Sequence, residues 1–170
     1  MKWKIPLYKV DWDKEDVRTV TNVIKRGMDW AIGPEIEEFE RSLANYHNSK
    51  YCVVFNSGTS AGHAALLSLN LKPSSEIIVP SFTFIATAEA IIDVGAKPVF
   101  VNINKTLNMD PAELESAITD KTAAIIPVHM LGVATEQDEI IRIAKKFKIP
   151  LLDDACESLG AEWNGHKLGA

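Results

Sequence analysis

The sequence predicts an α/β fold, with a mostly parallel β-sheet flanked by helices. From residue 50 to residue 153, short apolar runs of strand type alternate with stretches of helical periodicity, which is the pattern of parallel βαβ units. The strand-type runs are apolar nearly throughout, as strands covered on both faces require. The last run ends in Asp153 and Asp154, with Glu157 close behind, and α/β proteins bind ligands at the carboxyl ends of parallel strands.

Two helices are predicted before the alternation begins. The first covers residues 11–26, where apolar side chains recur at helical spacing between Asp13, a favourable N-cap, and Gly27, a favourable stop. The second begins at Pro34, since proline is favoured at the first helical position. Both precede the sheet, so we expect them to form an arm or an edge layer.

Five strands and four helices are predicted within the alternation. The strands cover residues 50–55, 76–80, 97–101, 122–128 and 149–153. The first helix runs from the turn after residue 56 to residue 71, and the second from about residue 83 to 93. The third begins at Pro111, with Asp110 as its cap, and the fourth covers residues 136–147.

The bulk composition limits the classes of function. The chain has 170 residues, a net charge of -5 and a pI near 5.4, so it lacks the basic footprint of a nucleic-acid-binding protein. The sequence contains no run of 18 apolar residues, so no membrane span is predicted. The first residues do not resemble a signal peptide. Cys52 and Cys156 are far apart in sequence, so neither a zinc site nor a disulfide framework is indicated. We expect a cytoplasmic protein with both cysteines buried.

The first candidate site is the turn that follows residue 55. Small and hydroxyl-bearing residues, among them Ser57, Gly58, Thr59 and Ser60, open a predicted helix there. Unpaired N–H groups at a helix N-terminus attract anions, so the turn is a candidate phosphate cradle. An ordinary capped helix start would have the same local sequence.

Two further strand ends carry aromatic or titratable residues. Phe82 and Phe84 follow the second strand, where Phe84 is placed either to stack on a planar ligand or to lie in the core. His129 follows the fourth strand, either as a hydrogen-bonding group on the substrate side or as a structural donor.

The acidic end of the fifth strand allows three interpretations. Asp153, Asp154 and Glu157 are compatible with solvated turn and capping residues, or with a divalent cation. The third interpretation is a carboxylate paired with a protonated heterocyclic nitrogen, which would offset the cost of burying the charge.

Four segments together resemble the DegT/DnrJ/StrS family of sugar aminotransferases, which are pyridoxal phosphate (PLP) enzymes of fold type I. They are NSGTSA from Asn56, PSFTFIAT from Pro80, PVHMLG from Pro127 and DDACE from Asp153. They occur in the order and spacing of that family, and the resemblance extends over essentially the whole chain. Each motif alone is weak, but four in register are specific.

The resemblance implies a role for each matching residue. Gly58, Thr59 and Ser60 would hold the PLP phosphate, and Phe84 would stack on the pyridine ring. Asp154 would pair with the ring nitrogen, which keeps the ring an electron sink. Glu157 would stand near the phenolic oxygen, where many members carry Gln or His; a glutamate there is similar to the subset that makes 4-amino sugars.

The resemblance also implies the reaction and the organisation of the protein. The substrates would be a nucleotide-linked keto sugar and glutamate, and the enzyme would be a homodimer. Residues 1–33 would be the N-terminal arm and first helix, and residues 34–170 part of the large PLP-binding domain. The small C-terminal domain and the lysine that binds PLP covalently would lie beyond residue 170, so we expect no catalysis by these residues alone. A PLP-dependent sugar 3-dehydratase, with histidine in place of that lysine, and a non-catalytic sugar-nucleotide-binding module remain alternatives.

Overall fold

The computed structural model describes residues 4–6 and 8–169, and it divides into two compact units at the boundary between Phe39 and Glu40. This boundary lies a few residues beyond the one predicted after residue 33. Helix α1, Lys14–Arg26, has the predicted caps: Asp13 forms a capping box with Asp16, and Gly27 takes the left-handed conformation with φ 75°. Helix α2, Pro34–His47, begins at the predicted proline.

Gly33 is required immediately before α2. A Cβ atom at this position would stand 2.6 Å from the carbonyl oxygen of Asp29, which is closer than two such atoms can approach. The chain therefore turns tightly into α2 only because this residue has no side chain.

Three parallel strands form the central sheet in the order β2-β1-β3. They are β1, Glu76–Pro80; β2, Lys97–Val101; and β3, Thr122–Ile125. β1 and β2 have the predicted bounds, whereas β3 ends three residues early. The predicted fifth strand is not continuous. Residues 149–154 run parallel to β3 and to the residues that follow it, but they pair there only at two isolated bridges, Ile125 with Leu151 and Val128 with Asp154.

The strand predicted over residues 50–55 is not formed. Residues 51–55 lack secondary structure, and the backbone N–H of Val54 donates to the Glu40 carboxylate at 2.8 Å rather than to a neighbouring strand. The alternation was real, because Tyr51, Val53 and Phe55 are exposed while the residues between them are half-buried. β-type patterning makes a strand only where another strand satisfies its N–H and C=O groups.

Four helices accompany the sheet. They are α3, Gly58–Leu67; α4, Ile85–Asp93; α5, Pro111–Ala117; and α6, Gln137–Phe147. Two of them, α4 and α5, connect its strands. Helix α3 ends four residues before the predicted bound. Helix α5 begins where predicted, with the Asp110 side chain accepting from the N–H of Ala112 at 2.9 Å.

Alternate residues of the strands supply two separate cores, as the period of two in a β-strand requires. Ile78 and Ile125 point to the face covered by α5 and α6, where they pack with Leu114, Ile140 and Ile143. Ile77, Val79 and Ala124 point to the opposite face, where they pack with Leu66 of α3 and Ile91 of α4. The sheet is therefore covered on both faces, as its apolar sequence predicted.

A short hairpin near the end of the described chain was missed by the sequence interpretation. Its strands are β4, Glu162–Trp163, and β5, His166–Lys167, and they pair antiparallel. Lys167 Nζ bonds to the Glu162 carboxylate at 2.9 Å and stands 4.3 Å from the centre of the Tyr46 ring. Strands of two residues carry no periodicity, so only the turn around Gly165, with φ 78°, was readable.

None of the helices in the described part of the chain combines the length and the apolar character that crossing a membrane requires.

Candidate functional site

The first turn of α3 presents hydroxyls and backbone N–H groups, which are donors of the kind that bind anions at helix N-termini. Ser57 is the N-cap, and its Oγ accepts from the N–H of Ser60 at 3.1 Å and lies 3.0 Å from the Ser60 Oγ. The N–H groups of Gly58 and Thr59 precede the first intrahelical bond and point out of the helix. A capped helix start and a phosphate cradle would use the same structure, so this geometry is compatible with both interpretations.

Phe84 occupies the N-cap position of α4, where a side chain that accepts hydrogen bonds is normally preferred. Its ring is 73% exposed and makes no capping bond. Phe82 is also exposed. The core interpretation of these rings is therefore wrong, and the sheet rim presents an aromatic face that contributes little to packing.

Asp154 is fixed through both its backbone and its side chain. Its N–H donates to the carbonyl of Pro127 at 2.9 Å, and its carbonyl accepts from the N–H of His129 at 3.0 Å. The carboxylate Oδ2 accepts from the Thr87 hydroxyl at 3.0 Å, and Oδ1 accepts from the N–H of Cys156 at 3.2 Å. The last strand-like segment thereby holds this carboxylate beside the first turn of α4.

The turn after Asp154 also contacts α3. A Cβ atom on Gly58 would stand 3.1 Å from Cys156 Sγ, so the two segments touch and residue 58 has little room for a side chain. Cys156 is exposed as a residue, contrary to prediction. Its thiol is nevertheless partly desolvated and lies beside the carboxylates of Asp154 and Glu157. Desolvation first, and then these carboxylates, raise the pKa of Cys156 to about 11.

Glu157 connects the acidic turn to the third strand end. Its Oε2 accepts from the backbone N–H of Leu131 at 2.9 Å. Leu131 lies in the short 3₁₀ turn Met130–Gly132 with φ 54°, a conformation that leucine rarely adopts, and its side chain is 69% exposed. The left-handed conformation of Leu131 thus presents its backbone N–H, and this group holds the Glu157 carboxylate at the rim of the sheet.

His129 is fully buried. Its Nδ1 accepts from the N–H of Thr135 at 3.2 Å, and its Nε2 lies 3.1 Å from Gln137 Nε2 and 3.5 Å from Asp153 Oδ2. A ring with no exposed surface cannot touch a substrate in this conformation, so the substrate-side prediction for His129 is replaced by its structural alternative. The ring ties the end of the β3 segment to α6.

The three carboxylates of the acidic turn point to different partners. Asp153 faces His129 and Gln137, Asp154 faces Thr87, and Glu157 faces the Leu131 backbone. Among the residues described, no group of three or more His, Cys, Asp or Glu side chains is arranged to hold a metal ion. This divergence weighs against the divalent-cation interpretation.

Sequence reasoning gave no role to Thr83 or Thr87, although both lie within a quoted motif. The Thr83 and Thr87 hydroxyls are 3.0 Å apart, and Thr87 continues the contact to Asp154. Their spacing of four residues was the available signal, because a helix that begins near residue 83, as predicted, would place both hydroxyls on one face; in the structure Thr83 lies just before the Phe84 N-cap.

Comparison with known proteins identifies the family. The model of the DegT/DnrJ/EryC1/StrS aminotransferase family matches residues 10–170. The chain belongs to this family. Its members and structural neighbours are PLP-dependent enzymes of fold type I, so the predicted fold and cofactor are confirmed.

Three proteins that are similar to this chain illustrate the range of activities in the family. The UDP-2-acetamido-2-deoxy-3-oxo-D-glucuronate aminotransferase of Pseudomonas aeruginosa is 42% identical over 87% of this chain and 41% of its own. The GDP-perosamine synthase of Caulobacter vibrioides is 40% identical over 82% of this chain and 38% of its own. The structure of the E. coli GDP-4-keto-6-deoxy-D-mannose-3-dehydratase with bound hydrated PLP superposes with a TM-score of 0.91 at 34% identity, over 97% of this chain and 44% of that one. This chain therefore spans less than half the length of these relatives.

The residues present fit the cofactor of the family. The α3 turn offers N–H and hydroxyl donors for a phosphate, and the exposed Phe84 ring offers a face for a planar ring. A carboxylate has about four acceptor positions, and Asp154 uses two of them on protein donors. It therefore keeps capacity for one more donor, such as a protonated ring nitrogen.

Proposed function

We propose that this chain forms the PLP-binding part of an aminotransferase that acts on a nucleotide-linked keto sugar. One observation carries the proposal: an anion-binding helix start, an exposed aromatic ring and a carboxylate lie at one rim of the sheet and are joined there. The joining contacts are those of Gly58 with Cys156 and of Thr87 with Asp154. Separately, the helix start and the carboxylate each have a structural explanation, whereas the exposed Phe84 ring does not.

Each protein group has a distinct task in this proposal. The N–H groups of Gly58 and Thr59 and the hydroxyls of Thr59 and Ser60 bind the phosphate, aided by the dipole of α3. Phe84 holds the ring in plane by stacking. Asp154 accepts a hydrogen bond from the ring nitrogen and so keeps that nitrogen protonated. When bound, the cofactor would supply an electron sink for amino transfer.

Glu157 is the group that we propose to face the phenolic oxygen of the cofactor. Its carboxylate is already oriented toward the same rim by the Leu131 N–H. By resemblance, a glutamate here is similar to the subset of the family that makes 4-amino sugars, and a GDP-perosamine synthase is among the relatives of this chain.

Glutamate is the proposed amino donor. A relative from Bacillus subtilis, named as a 3-oxo-glucose-6-phosphate:glutamate aminotransferase, is 37% identical over 92% of this chain and supports this choice. We also propose a cytoplasmic homodimer that binds neither nucleic acid nor membranes. The acidic composition supports the part of the proposal that concerns nucleic acid.

The first experiment tests cofactor binding without catalysis. Pyridoxamine 5'-phosphate has no aldehyde, so it cannot react with surface lysines, and its fluorescence reports binding. We expect the wild-type chain to bind it, and Asp154→Asn to weaken binding about tenfold or more because a charge-assisted hydrogen bond is lost. Asp93→Asn, at the exposed end of α4, is the matched control and should bind like the wild type. Equal affinities for the two variants would overturn the proposal.

The second experiment tests whether these 170 residues catalyse the reaction by themselves. We expect no 2-oxoglutarate to form when the chain is mixed with PLP, glutamate and a nucleotide-linked keto sugar. By resemblance, none of its residues is the lysine that binds PLP and carries the proton, and general acid–base catalysis alone contributes about 10²–10⁴-fold. Measurable turnover would contradict this.

A sugar 3-dehydratase is the second candidate, favoured by the superposition on the E. coli 3-dehydratase. The cofactor contacts proposed above are the same for both reactions. The residue at the position of the covalent lysine discriminates them, since the resemblance implies histidine there in a dehydratase.

A further inference from the structure

The orientation of the Asp154 carboxylate matters most to the proposed site. A side chain from another element of the fold helps to set this orientation. Its backbone is held by Pro127 and His129, but these bonds leave the side-chain torsions free. Oδ1 bonds to the N–H of Cys156 in the same turn. The bond from Thr87 to Oδ2 is the contact that comes from a different element, 67 residues away in sequence.

The directions of the hydrogen bonds among Thr83, Thr87 and Asp154 follow from which of these groups can donate a proton. A carboxylate only accepts, so the single proton of the Thr87 hydroxyl goes to Asp154 Oδ2. The Thr87 oxygen must then accept from Thr83, which makes Thr83 the donor across their 3.0 Å contact. The result is a relay of two hydroxyls from the loop before α4 to the carboxylate.

The surroundings of Thr87 make this bond persistent. Thr87 is buried, with 9% of its surface exposed, so water competes poorly for its hydroxyl. It lies in the first turn of α4, two residues after Ile85 and three after Phe84, whose carbonyl accepts its N–H at 3.1 Å. The same helical turn thus presents the proposed stacking ring and anchors the carboxylate.

We propose that Thr87, oriented by Thr83, is a positioning residue that aims the Asp154 carboxylate at the ring nitrogen of the cofactor. Thr87 Oγ1 and Cys156 N–H each occupy one carboxylate oxygen and fix the plane of the group, while one acceptor position per oxygen remains for a ligand. This inference deepens the proposed function and depends on it.

The test compares four variants of the full chain loaded with pyridoxamine 5'-phosphate carrying ¹⁵N in the ring. Asp154→Asn removes the carboxylate, Thr87→Val removes the hydroxyl at nearly constant volume, and Thr87→Ser restores it. Thr119→Val is the matched control, because the Thr119 hydroxyl also donates to a carboxylate, that of Glu76 at 2.7 Å, and Glu76 lies at the amino end of β1, away from the proposed site.

Two readouts are measured for each chain: the Kd from fluorescence, and the ¹⁵N chemical shift, which reports protonation of the ring nitrogen. We expect Thr87→Val to weaken binding about tenfold, as loss of a hydrogen bond to a charged group does, and to move the ¹⁵N shift toward the unprotonated value. Thr87→Ser and Thr119→Val should keep the wild-type shift. A purely structural role would change the unfolding midpoint of Thr87→Val without moving the shift.

The outcomes separate the two proposals. If Asp154→Asn leaves the shift and Kd unchanged, or the wild type does not bind, the proposed function fails and the inference fails with it. If Asp154→Asn moves the shift but Thr87→Val behaves like Thr119→Val, only the positioning role is overturned. If Thr87→Val does not fold, Thr83→Val replaces it, since losing the donor to Thr87 should give a smaller shift in the same direction.

Discussion

At the scale of single residues, the thiol of Cys156 reports the electrostatics of the candidate site. It lies against Gly58 and beside two carboxylates, which together with desolvation hold its pKa at about 11, above the ordinary value of 9.0. Both effects disfavour the thiolate, which is the reactive form.

This pKa gives a prediction on alkylation. In a Cys52→Ser background, the rate of iodoacetamide modification of Cys156 should rise about tenfold per pH unit through pH 9 and level off only near pH 11. The unfolded chain should level off near its ordinary value. Because the folded pKa is the higher one, this thiol's contribution to stability is complete below pH 9 and is lost between pH 9 and 11. A plateau near 9 in the folded chain would contradict the prediction.

Ser57 is predicted to contribute to stability as well as to anion binding. Ser57→Ala removes the Oγ that accepts from the N–H of Ser60, and losing such an N-cap costs about 1 kcal/mol. We expect a lower urea midpoint at unchanged m-value. Ser116→Ala is the control: this exposed serine lies inside α5, where alanine is favourable. The prediction fails if both variants unfold at the same urea concentration.

At the scale of elements, the N-cap residue of α4 is one that does not stabilise the start of a helix. Phe84 stands at the N-cap without a capping bond and with most of its ring exposed. Functional sites are where such local conflicts are expected.

Replacing that ring should separate stability from binding. We expect Phe84→Ser to raise the free energy of unfolding by about 0.5–1 kcal/mol through a new N-cap bond, while binding of pyridoxamine 5'-phosphate weakens because stacking is lost. Urea unfolding and fluorescence titration measure the two effects. Phe147→Ser, at the end of α6, is the control that changes a partly exposed phenylalanine without creating an N-cap. Unchanged binding in Phe84→Ser would remove the ring from the proposed site.

At the scale of the whole molecule, the parallel sheet and its two cores hold the strand ends together. Ile125 is fully buried in the core beneath α5 and α6, four residues before His129 and beside the segment that carries Asp154. Global packing and site geometry are therefore coupled through β3.

Truncating this core residue should destabilise the whole unit. Ile125→Ala is expected to cost about 2–5 kcal/mol, a large part of the total stability of an ordinary domain. Ile92→Ala, on the exposed face of α4, should change stability by less than about 0.5 kcal/mol. Urea denaturation followed by circular dichroism compares the two. Similar midpoints would mean that Ile125 does not belong to the core beneath α5 and α6.

The sequence by itself determined the elements whose signals are local. Asp13, Gly27, Pro34 and Asp110 cap or open their helices as predicted, and β1 and β2 have the predicted bounds. Caps, prolines and apolar runs act within a few residues, so they can be read along the chain. The four strand-end motifs likewise indicated the family and its cofactor before any geometry was known.

Only the tertiary structure decided which predicted strands pair with a neighbour and which side chains meet across the fold. Residues 51–55 have β-type patterning but no ladder, and residues 149–154 pair with residues 125–128 only at bridges, because strand pairing depends on a neighbour distant in sequence. The burial of His129 and the contact of Thr87 with Asp154 were equally unreadable. Contacts between residues far apart in sequence are set by how the layers pack, and that packing is where the direction of the Asp154 carboxylate is fixed.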